Sequence, residues 1–576
     1  MYNKVLIANR GEIALRILRT LREMGITPVA VYSDADRESR YVLEADEAYR
    51  IGPPPAPLSY LNREALIQTA LASGCQAIHP GYGFLAENAD FVDEVTSAGL
   101  TFIGPSSSTM RAMGDKIAAR QLAQRAGVPV VPGSDAAVEA IDVARAFVVE
   151  HGLPVLIKAG GGGGGRGIRV VEQEEMLAEA MERASNEADT YFHNPQVYLE
   201  RFFRGARHIE IQVAGDSKGE VVAWGERDCS TQRRRQKLIE ETPAPGISPS
   251  ERTEMMDAAV RFARSAAYVG VGTVEFLYAG PGEFYFLEMN TRIQVEHTIT
   301  EQVTNLDLVR ESIELSCGKS VEKDIQPRGH AIEARINAED PARGFAPGPG
   351  LIEIYREPGG QGVRIDSGVY QGFAIPGDYD SLVAKLVVHA PDRERAIARM
   401  LRALRGYHVE GIPTTIPLIQ RIVASDTFRS GSMTTDWLDA NLDSLVTEDA
   451  QPVPASVQAA APPRRVDVEV NGKRFEVRIY DEATDEKAAT GRRERKHSHT
   501  TSKTHINAII SPMHGTVLAV NKAVGDHVAE GEAVFVIEAM KMENEVLAPR
   551  GGSISAMKAA LGDTVDAGQI LAELSE

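Results

Sequence analysis

Polar side chains stand at every second position from residue 288 to residue 296: Glu288, Asn290, Arg292, Gln294 and Glu296 alternate with Met289, Thr291, Ile293 and Val295. An extended backbone sends alternate side chains to one face, so these residues line a continuous polar surface. A solvated edge strand would show the same alternation. Just upstream, Thr273 to Tyr278 and Glu283 to Asn290 read as two strands around Gly280-Pro281-Gly282-Glu283. With Pro281 and Gly282 as the central turn residues, Glu275 falls directly opposite Glu288. Two like charges so placed are destabilising, and a divalent cation between them is the natural remedy. Oxygen ligands shared with nucleotide phosphates suit magnesium. Other loop types would shift this register.

A second chemical feature is the run Gly160 to Gly165, followed by Arg166-Gly167 and entered from the strand-like Val155-Leu156-Ile157-Lys158-Ala159. Each glycine costs about 0.5–1 kcal/mol of folding entropy relative to alanine. Such a run lets backbone N–H groups, those of Gly162, Gly163, Gly164 and Gly165 among them, close over phosphate oxygens. A flexible linker is the alternative, weakened by Ile168-Arg169-Val170-Val171, which returns to strand character. The lysine precedes the glycines, so this is not the Gly-x-x-x-x-Gly-Lys-Ser/Thr phosphate loop.

The third feature is Lys541, between Met540 and Met542 and flanked by apolar runs that read as the strands of a hairpin. A lysine at a protruding turn is a handle for amide attachment of a cofactor, although a surface lysine in a turn is the ordinary reading. An internal repeat favours the first. Gly525-Asp526-His527-Val528-Ala529-Glu530-Gly531-Glu532 matches Gly562-Asp563-Thr564-Val565-Asp566-Ala567-Gly568-Gln569, and Lys541 lies between the copies. A duplicated strand-turn-strand unit packs as a small two-fold flattened barrel.

The elements that must hold these groups span 576 residues, enough for about three or four domains. The hydrophobic fraction of 43% supplies ordinary cores, and a formal charge of −19 argues against nucleic acid or an anionic membrane as partner. Cys75, Cys229 and Cys317, scattered and odd in number, suggest a reducing compartment. With no apolar leader or membrane-length run, the expectation is a cytoplasmic protein. The start is Rossmann-like: strand Lys4 to Asn9, a turn at Arg10-Gly11, a helix from Glu12 to Met24 with Ile13, Ile17, Leu21 and Met24 on one face, then strand Val29 to Tyr32. No Gly-x-Gly-x-x-Gly follows the first strand, which argues against a dinucleotide site. Glu448 to Pro463 reads as a linker, Val466 to Ile479 as a hairpin around Asn471-Gly472, and Glu482 to His505 as a charged tether. About 25 coil residues have a root-mean-square reach of about 25–30 Å.

Ser511-Pro512-Met513, the repeat and Glu538-Ala539-Met540-Lys541-Met542 resemble the biotin carrier domain of biotin-dependent carboxylases. Ala8-Asn9-Arg10-Gly11-Glu12-Ile13-Ala14 and His79-Pro80-Gly81-Tyr82-Gly83-Phe84-Leu85-Ala86-Glu87-Asn88 resemble the amino-terminal domain of biotin carboxylase, of the ATP-grasp superfamily. Asn290-Thr291-Arg292-Ile293-Gln294-Val295-Glu296-His297 matches its signature, and Asp380-Ser381-Leu382-Val383-Ala384-Lys385 continues the likeness. The fold class implied is α/β: a Rossmann-like amino-terminal domain at 1–114, an ATP-grasp domain at 115–330 with a mobile glycine-rich lid near 132–203, and a biotin carboxylase carboxy-terminal domain at 331–445. A linker at 446–507 carries the hairpin 466–480, and an all-β biotinyl domain fills 508–576.

The resemblance implies biotin on Lys541, ATP held by Lys116, Lys158, Glu200, Phe203, His208, Gln232 and Arg235, and magnesium (or manganese) at Glu275, Glu288 and Asn290. It also implies bicarbonate bound by Arg292, Gln294 and the Val295 backbone, Glu296 as the base that deprotonates it, and Arg335 stabilising the biotin enolate. Cys229, Gln236 and Lys237, the last a catalytic candidate, fall in further matching segments. Arg235 stands where the family usually has histidine, and Thr298 replaces a common proline with little evident chemical consequence. The expected assembly is a homo-oligomer working with a separate carboxyltransferase beta subunit, because no carboxyltransferase is recognisable here, and with a biotin protein ligase. Acetyl-CoA and propionyl-CoA are the leading acceptors. An ATP-grasp ligase joining a carboxylate to an amine, and a carrier with a decayed catalytic region, are the alternatives.

Overall fold

Val5, Leu6 and Ile7 are fully buried in the strand Lys4–Ile7, because it is the middle strand of a five-stranded parallel sheet. A strand covered on both faces has no polar side to show, which is why it reads as an unbroken apolar run. Its neighbours are Thr27–Ser33 and Ala77–His79, both parallel to it, and Glu47–Gly52 and Thr101–Phe102 form the edges. The helix Gly11–Glu23 buries Ile13, Ile17 and Leu21, as its spacing predicts. The turn into it leaves Asn9, Glu12 and the loop after His79 at the carboxyl end of the sheet, where open parallel sheets place their ligands. The computed structural model describes residues 1–134, 136–138, 140–159, 168–192, 195–446, 464–470, 473–479, 508–511, 515–539, 542–565 and 569–575.

The central element is an eight-stranded sheet ordered Glu283–Asn290, Gly270–Gly280, Arg207–Gly215, Val221–Arg233, Gln236–Thr242, His330–Asn337, Leu382–Ala390, Val363–Ser367. It crosses the expected domain boundary at 330–331, since Gln236–Thr242 pairs antiparallel with His330–Asn337. Helix Pro249–Ser265, opened by a Ser248/Glu251 capping box, packs its buried Met255, Ala258, Ala259 and Phe262 on this sheet. The hairpin Gly270–Gly280/Glu283–Asn290 turns at Pro281-Gly282 and pairs Glu275 with Glu288. The register does not run straight to that pair. It slips at two places, between Tyr278 and Gly280 and between Glu275 and Phe276, and the slips cancel.

A smaller three-stranded sheet, Ile168–Val171, Val155–Ala159, Val197–Arg201, carries helices Ile141–His151 and Leu177–Phe192. It has its own core of Val138, Phe147, Ile157, Leu177, Met181 and Leu199. This is the segment expected as the lid. Gly162 to Gly165 lie outside the described residues.

The chain divides into two compact units, one built on Met1–Leu445 and the other on the strands after residue 446. Arg464–Val470 and Lys473–Ile479 pair in the register the hairpin reading requires, Val468 opposite Phe475. The linker, the tether and Asn471-Gly472 lie outside the described residues. The carrier segment folds as two four-stranded sheets. Ala508–Ile510, Ile570–Ser575, Gly552–Met557 and His527–Val528 form one; Met542–Leu547, Ala533–Ala539, Gly515–Val520 and Thr564–Val565 form the other. The repeat is visible as reciprocal bonding. Gly525 N–H donates to Ile554 O and Gly562 N–H to Val517 O, each at 2.8 Å. Asp526 and Asp563 close identical turns, accepting from Ala523 N–H and Ala560 N–H at 2.8 Å. Both glycines have positive φ, +97° and +86°, which favours glycine there. Among the described residues no helix is long and apolar enough to cross a membrane.

Candidate functional site

The strand Glu283–Asn290 ends before the alternation does: residues 291–296 bend and turn out of it instead of staying extended. Glu296 takes the N-cap position of the helix His297–Thr304, with 2% of its surface exposed. Its carboxylate accepts from Lys237 Nζ at 2.5 Å and from Arg335 at 2.9 Å. Lys237, from Gln236–Thr242, also reaches Glu210 at 2.6 Å and Glu275 at 3.3 Å. Arg335, from the neighbouring strand, bridges Glu296 to Glu240, its Nε donating at 2.6 Å. Fully buried Arg227 donates to Glu210, to Gln212 at 2.6 Å and to Gln294 at 2.7 Å. Four buried carboxylates thus share Lys237, Arg227 and Arg335, and this pairing is what makes their burial tolerable.

The electrostatics follow from these contacts. Burial pushes the Glu296 carboxyl up, but Lys237, Arg335 and Arg227 outweigh it and hold it well below the usual carboxylate range. Glu275 is also held down: burial opposes ionisation, and Lys237 and His208 prevail. Burial lowers the His208 imidazole, yet Glu275, 3.0 Å away, lifts it above its ordinary value. Glu240 goes the other way, pushed up to about 7, mainly by burial, against the pull of Arg335.

Glu275 accepts further bonds from Asn290 Nδ2 and Gln294 Nε2, both at 2.8 Å. Glu288, half-buried on the same face as Glu275, pairs with Lys116 at 3.9 Å, and burial and the neighbouring Glu275 raise its carboxyl above the ordinary value. Among the described residues, the donor sets close enough for one metal ion are His208, Glu210 and Glu275, and Glu210, Cys229 and Glu296. Lys237 donates to all three carboxylates in these sets. Arg292 is held by Glu87, whose oxygens take Arg292 Nε at 2.8 Å and Thr291 N–H at 3.0 Å, while Asn290 Oδ1 takes its NH2 at 2.9 Å.

On the other flank stand Lys116, Lys158 and Arg235. Burial lowers the Lys116 ammonium; Glu288 and Glu200 raise it, and repulsion from Lys158 and Arg235 lowers it further. Mutually repelling cations gathered on one flank are what a polyphosphate would relieve. Lys158 pairs with Glu200, which also lies 3.7 Å from Arg120. Phe203 stacks on Tyr285 with ring centroids 5.1 Å apart. Gln232 is buried opposite Lys237 across the turn that carries Arg235. In that turn Arg234 and Arg235 have φ of 45° and 69°, a region that disfavours arginine. Lys541 lies outside the described residues, between adjacent strands that end at Ala539 and resume at Met542.

The sequence reading missed Glu210, Gln212, Arg227, Glu240 and Glu87 as members of this cluster. His208, Glu210 and Gln212 alternate with Ile209 and Ile211, a signal of the same kind as the one in 288–296. Nothing local marks Glu87 or Glu240, whose partners are distant in sequence. Thr298 has a role after all: its hydroxyl donates to the buried Glu333, which faces Glu240 across two paired strands. A proline there would leave Glu333 without that donor.

Family comparisons match the biotin carboxylase N-terminal domain over residues 1–110 and the ATP-binding domain of the carbamoyl-phosphate synthase L chain over 115–324. They also match the biotin carboxylase C-terminal domain over 333–440 and the biotin-requiring enzyme domain over 507–574. The biotin-dependent acyl-coenzyme A carboxylase alpha3 subunit of Mycobacterium leprae is 42% identical over 99% of this chain and 98% of that protein. A pyruvate carboxylase subunit from Methanothermobacter thermautotrophicus is 48% identical over 81% of this chain and 97% of that protein. The biotin carboxylase domain dimer of Hydrogenobacter thermophilus 2-oxoglutarate carboxylase, solved with MgADP, ADP and bicarbonate, superposes with a TM-score of 0.75. It is 45% identical and covers 78% of this chain and 99% of that one. With its ion-paired carboxylates at Glu296 and Glu275 and its duplicated lysine-bearing barrel on one polypeptide, this chain belongs to the biotin-dependent carboxylases, as a biotin carboxylase joined to a biotin carrier domain.

Proposed function

We propose that the chain carboxylates biotin carried on Lys541, using ATP and bicarbonate, as the alpha subunit of an acyl-CoA carboxylase whose carboxyltransferase is a separate beta subunit. The observation that carries the chemistry is Glu296, ionised between Lys237 and Arg335 at the end of the segment that follows the strand Glu283–Asn290 and bears Arg292 and Gln294. The full-length likeness to an acyl-CoA carboxylase alpha subunit supports the assignment.

In this reading Arg292, Gln294 and the Val295 backbone hold bicarbonate, and Glu296 takes its proton. A carboxylate paired with two cations is a weak base, so proton removal must be drawn forward by attack of the bicarbonate oxygen on the γ-phosphorus of ATP. Lys116, Lys158, Arg235 and the N–H groups of Gly162 to Gly165 stabilise the charge on the phosphates, while Glu200 and Phe203 flank the base and His208 and Gln232 complete the nucleotide site. Loss of ADP leaves carboxyphosphate, which yields carbon dioxide and phosphate. Glu275, Glu288 and Asn290 offer hard oxygen donors, with Glu275 already ionised, so the donor chemistry fits magnesium or manganese. The ion would neutralise the nucleotide's charge when bound. Biotin, amide-linked by a biotin protein ligase, would supply the ureido nitrogen that takes up the carbon dioxide, its N–H proton passing to the released phosphate. Arg335, anchored by Glu240 as well as Glu296, keeps its positive charge in place when Glu296 is protonated.

Acetyl-CoA and propionyl-CoA are the proposed acceptors. The pyruvate carboxylase relative motivates a second reading, in which the acceptor is a 2-oxo acid. A homodimer of the catalytic part is proposed by analogy with the Hydrogenobacter domain. The test is streptavidin capture of the native protein from its source lysate, with mass spectrometry of Lys541 and of whatever co-elutes. Biotin on Lys541 and a co-eluting carboxyltransferase active on acyl-CoA support the proposal; an unmodified Lys541 overturns it, and activity on pyruvate instead selects the second reading.

A further inference from the structure

The Lys385 side chain lies at a position with no exposed surface. It lies in the strand Leu382–Ala390, far in sequence from the polar segment at 288–296, and none of the chemistry above uses it. Burying an ammonium costs several kcal/mol unless it is paired and hydrogen-bonded. The partners show what its place is for. Its Nζ donates to the backbone carbonyl of Val295 at 3.0 Å and lies 3.2 Å from Glu12 and 3.9 Å from Asp366.

Its register is equally informative. Lys385 pairs directly with Arg335 across the sheet on one side and with Asp366 on the other. Two neighbouring cations therefore hold consecutive residues: Arg335 the carboxylate of Glu296, and Lys385 the carbonyl of Val295. That carbonyl belongs to the peptide joining Val295 to Glu296, so the bond fixes the backbone from which Glu296 projects. The anion on the far side comes from the first turn of the amino-terminal domain's helix Gly11–Glu23. Glu12, 6% exposed, accepts from Tyr82 OH as well as pairing with Lys385. The loop carrying Tyr82 is held in turn by Asn9, whose amide donates to Pro80 O and Tyr82 O, each at 2.7 Å. Glu12 and Asn9 stand at the first strand-to-helix turn, and Tyr82 in the glycine-rich loop after His79.

We propose that Lys385 is a positioning residue for bicarbonate: with Glu12 behind it, it pins the Val295–Glu296 peptide to the amino-terminal domain and so holds the anion site in its working geometry. The bond is needed because the 291–296 segment, beyond the end of its strand, has lost its ladder partners. Its side chains are fixed by Glu87, Arg227 and Glu275, but none of those contacts orients the Val295 carbonyl. The proposal rests on the reading that Arg292, Gln294 and the Val295 backbone bind bicarbonate.

The test is steady-state ADP release by the full-length protein with ATP, bicarbonate and free biotin, varying bicarbonate and ATP separately. Lys385→Met keeps the length of the stem and removes the donor. Displacement of a site by about 1 Å can cost about 10²-fold in rate. The expected result is a bicarbonate KM raised about tenfold or more, a lower kcat, and an ATP KM within about twofold of the parent. Glu12→Gln keeps shape and withdraws the anion, and should raise the bicarbonate KM about threefold. It decides the matter alone if Lys385→Met does not fold. A bicarbonate KM unchanged in Glu12→Gln and in any soluble Lys385→Met, or an ATP KM rising in parallel, overturns the proposal. Arg292→Ala, measured alongside, separates the two levels. If it raises the bicarbonate KM while the other variants do not, only the positioning role fails. If it too leaves that KM unchanged, the site reading has failed and the positioning role falls with it.

Discussion

Replacing Glu296 by glutamine removes one charge from the buried cluster while keeping the size of the side chain. Lys237 retains Glu210 and Glu275, and Arg335 retains Glu240, so no cation is left alone and the variant should fold. The amide cannot take a proton. General-base catalysis contributes about 10²–10⁴-fold, or about 3–5 kcal/mol at about 1.36 kcal/mol per decade. ADP release dependent on bicarbonate and biotin should therefore fall by at least two decades, with nucleotide affinity kept, since Lys116 and Lys158 are untouched. Residual activity above one-tenth of the parent would refute the role of Glu296 as base. The same substitution tests the electrostatics. The folded-state value of Glu296 is depressed below the ordinary 4.5, so its ionisation stabilises the fold above that pH, and the contribution is lost as pH falls through the folded value. The stability gap between parent and Glu296→Gln should be widest near neutrality and narrow on acidification in urea titrations. A gap that stays constant would show that the ion pairs do not favour the charged form.

Arg227→Met strips the buried cluster of the guanidinium shared by Glu210, Gln212, Thr273, Gln294 and Thr300, and should cost about 3–5 kcal/mol in urea unfolding; a loss below about 1 kcal/mol would contradict the pairing. Glu240 is raised to about 7, so the folded protein binds its proton more tightly than the unfolded chain, and stability should fall as pH rises from the ordinary 4.5 to about 7. Glu240→Gln should flatten that slope in thermal melts, and an unchanged slope would assign it to another group. Lys541→Arg should abolish streptavidin capture while carboxylation of free biotin stays within about twofold, because the charge is kept and the cluster around Glu296 is untouched; loss of both would mean that Lys541 serves more than the carrier. Asp526→Ala and Asp563→Ala each delete one backbone-accepting bond in equivalent turns and should weaken local hydrogen-exchange protection by a similar amount, about 0.5–1.5 kcal/mol. Strongly unequal effects would show that the turns are equivalent in sequence but not in energy.

Local physics was legible in the sequence. The apolar run Val5 to Ile7 reads as a buried strand, the Glu275–Glu288 pair from one turn, and the barrel from its repeat, because each depends on spacing along a few bonded residues. The alternation at 288–296 marks the polar groups but not their backbone, which leaves the strand after Asn290 and turns into the helix His297–Thr304. The resemblance added the family. The surroundings of those residues were not legible. Glu87 orients Arg292, Glu240 anchors Arg335, Thr298 satisfies Glu333, and Lys385 holds Val295, each across a separation in sequence that no periodicity encodes. Which carboxylate is ionised was also decided in three dimensions. Glu296 and Glu240 are the same residue type beside the same Arg335, but Glu296 also meets Lys237 and Arg227 and is held low, while Glu240 has an oxygen with no partner among the described residues and is pushed up. The sequence by itself determined which groups exist and which face of a strand they share. Only the tertiary structure decided their charge, because burial and the distance to the nearest cation set the energy of an ionised carboxylate, and both arise when strands from distant parts of the chain pack together.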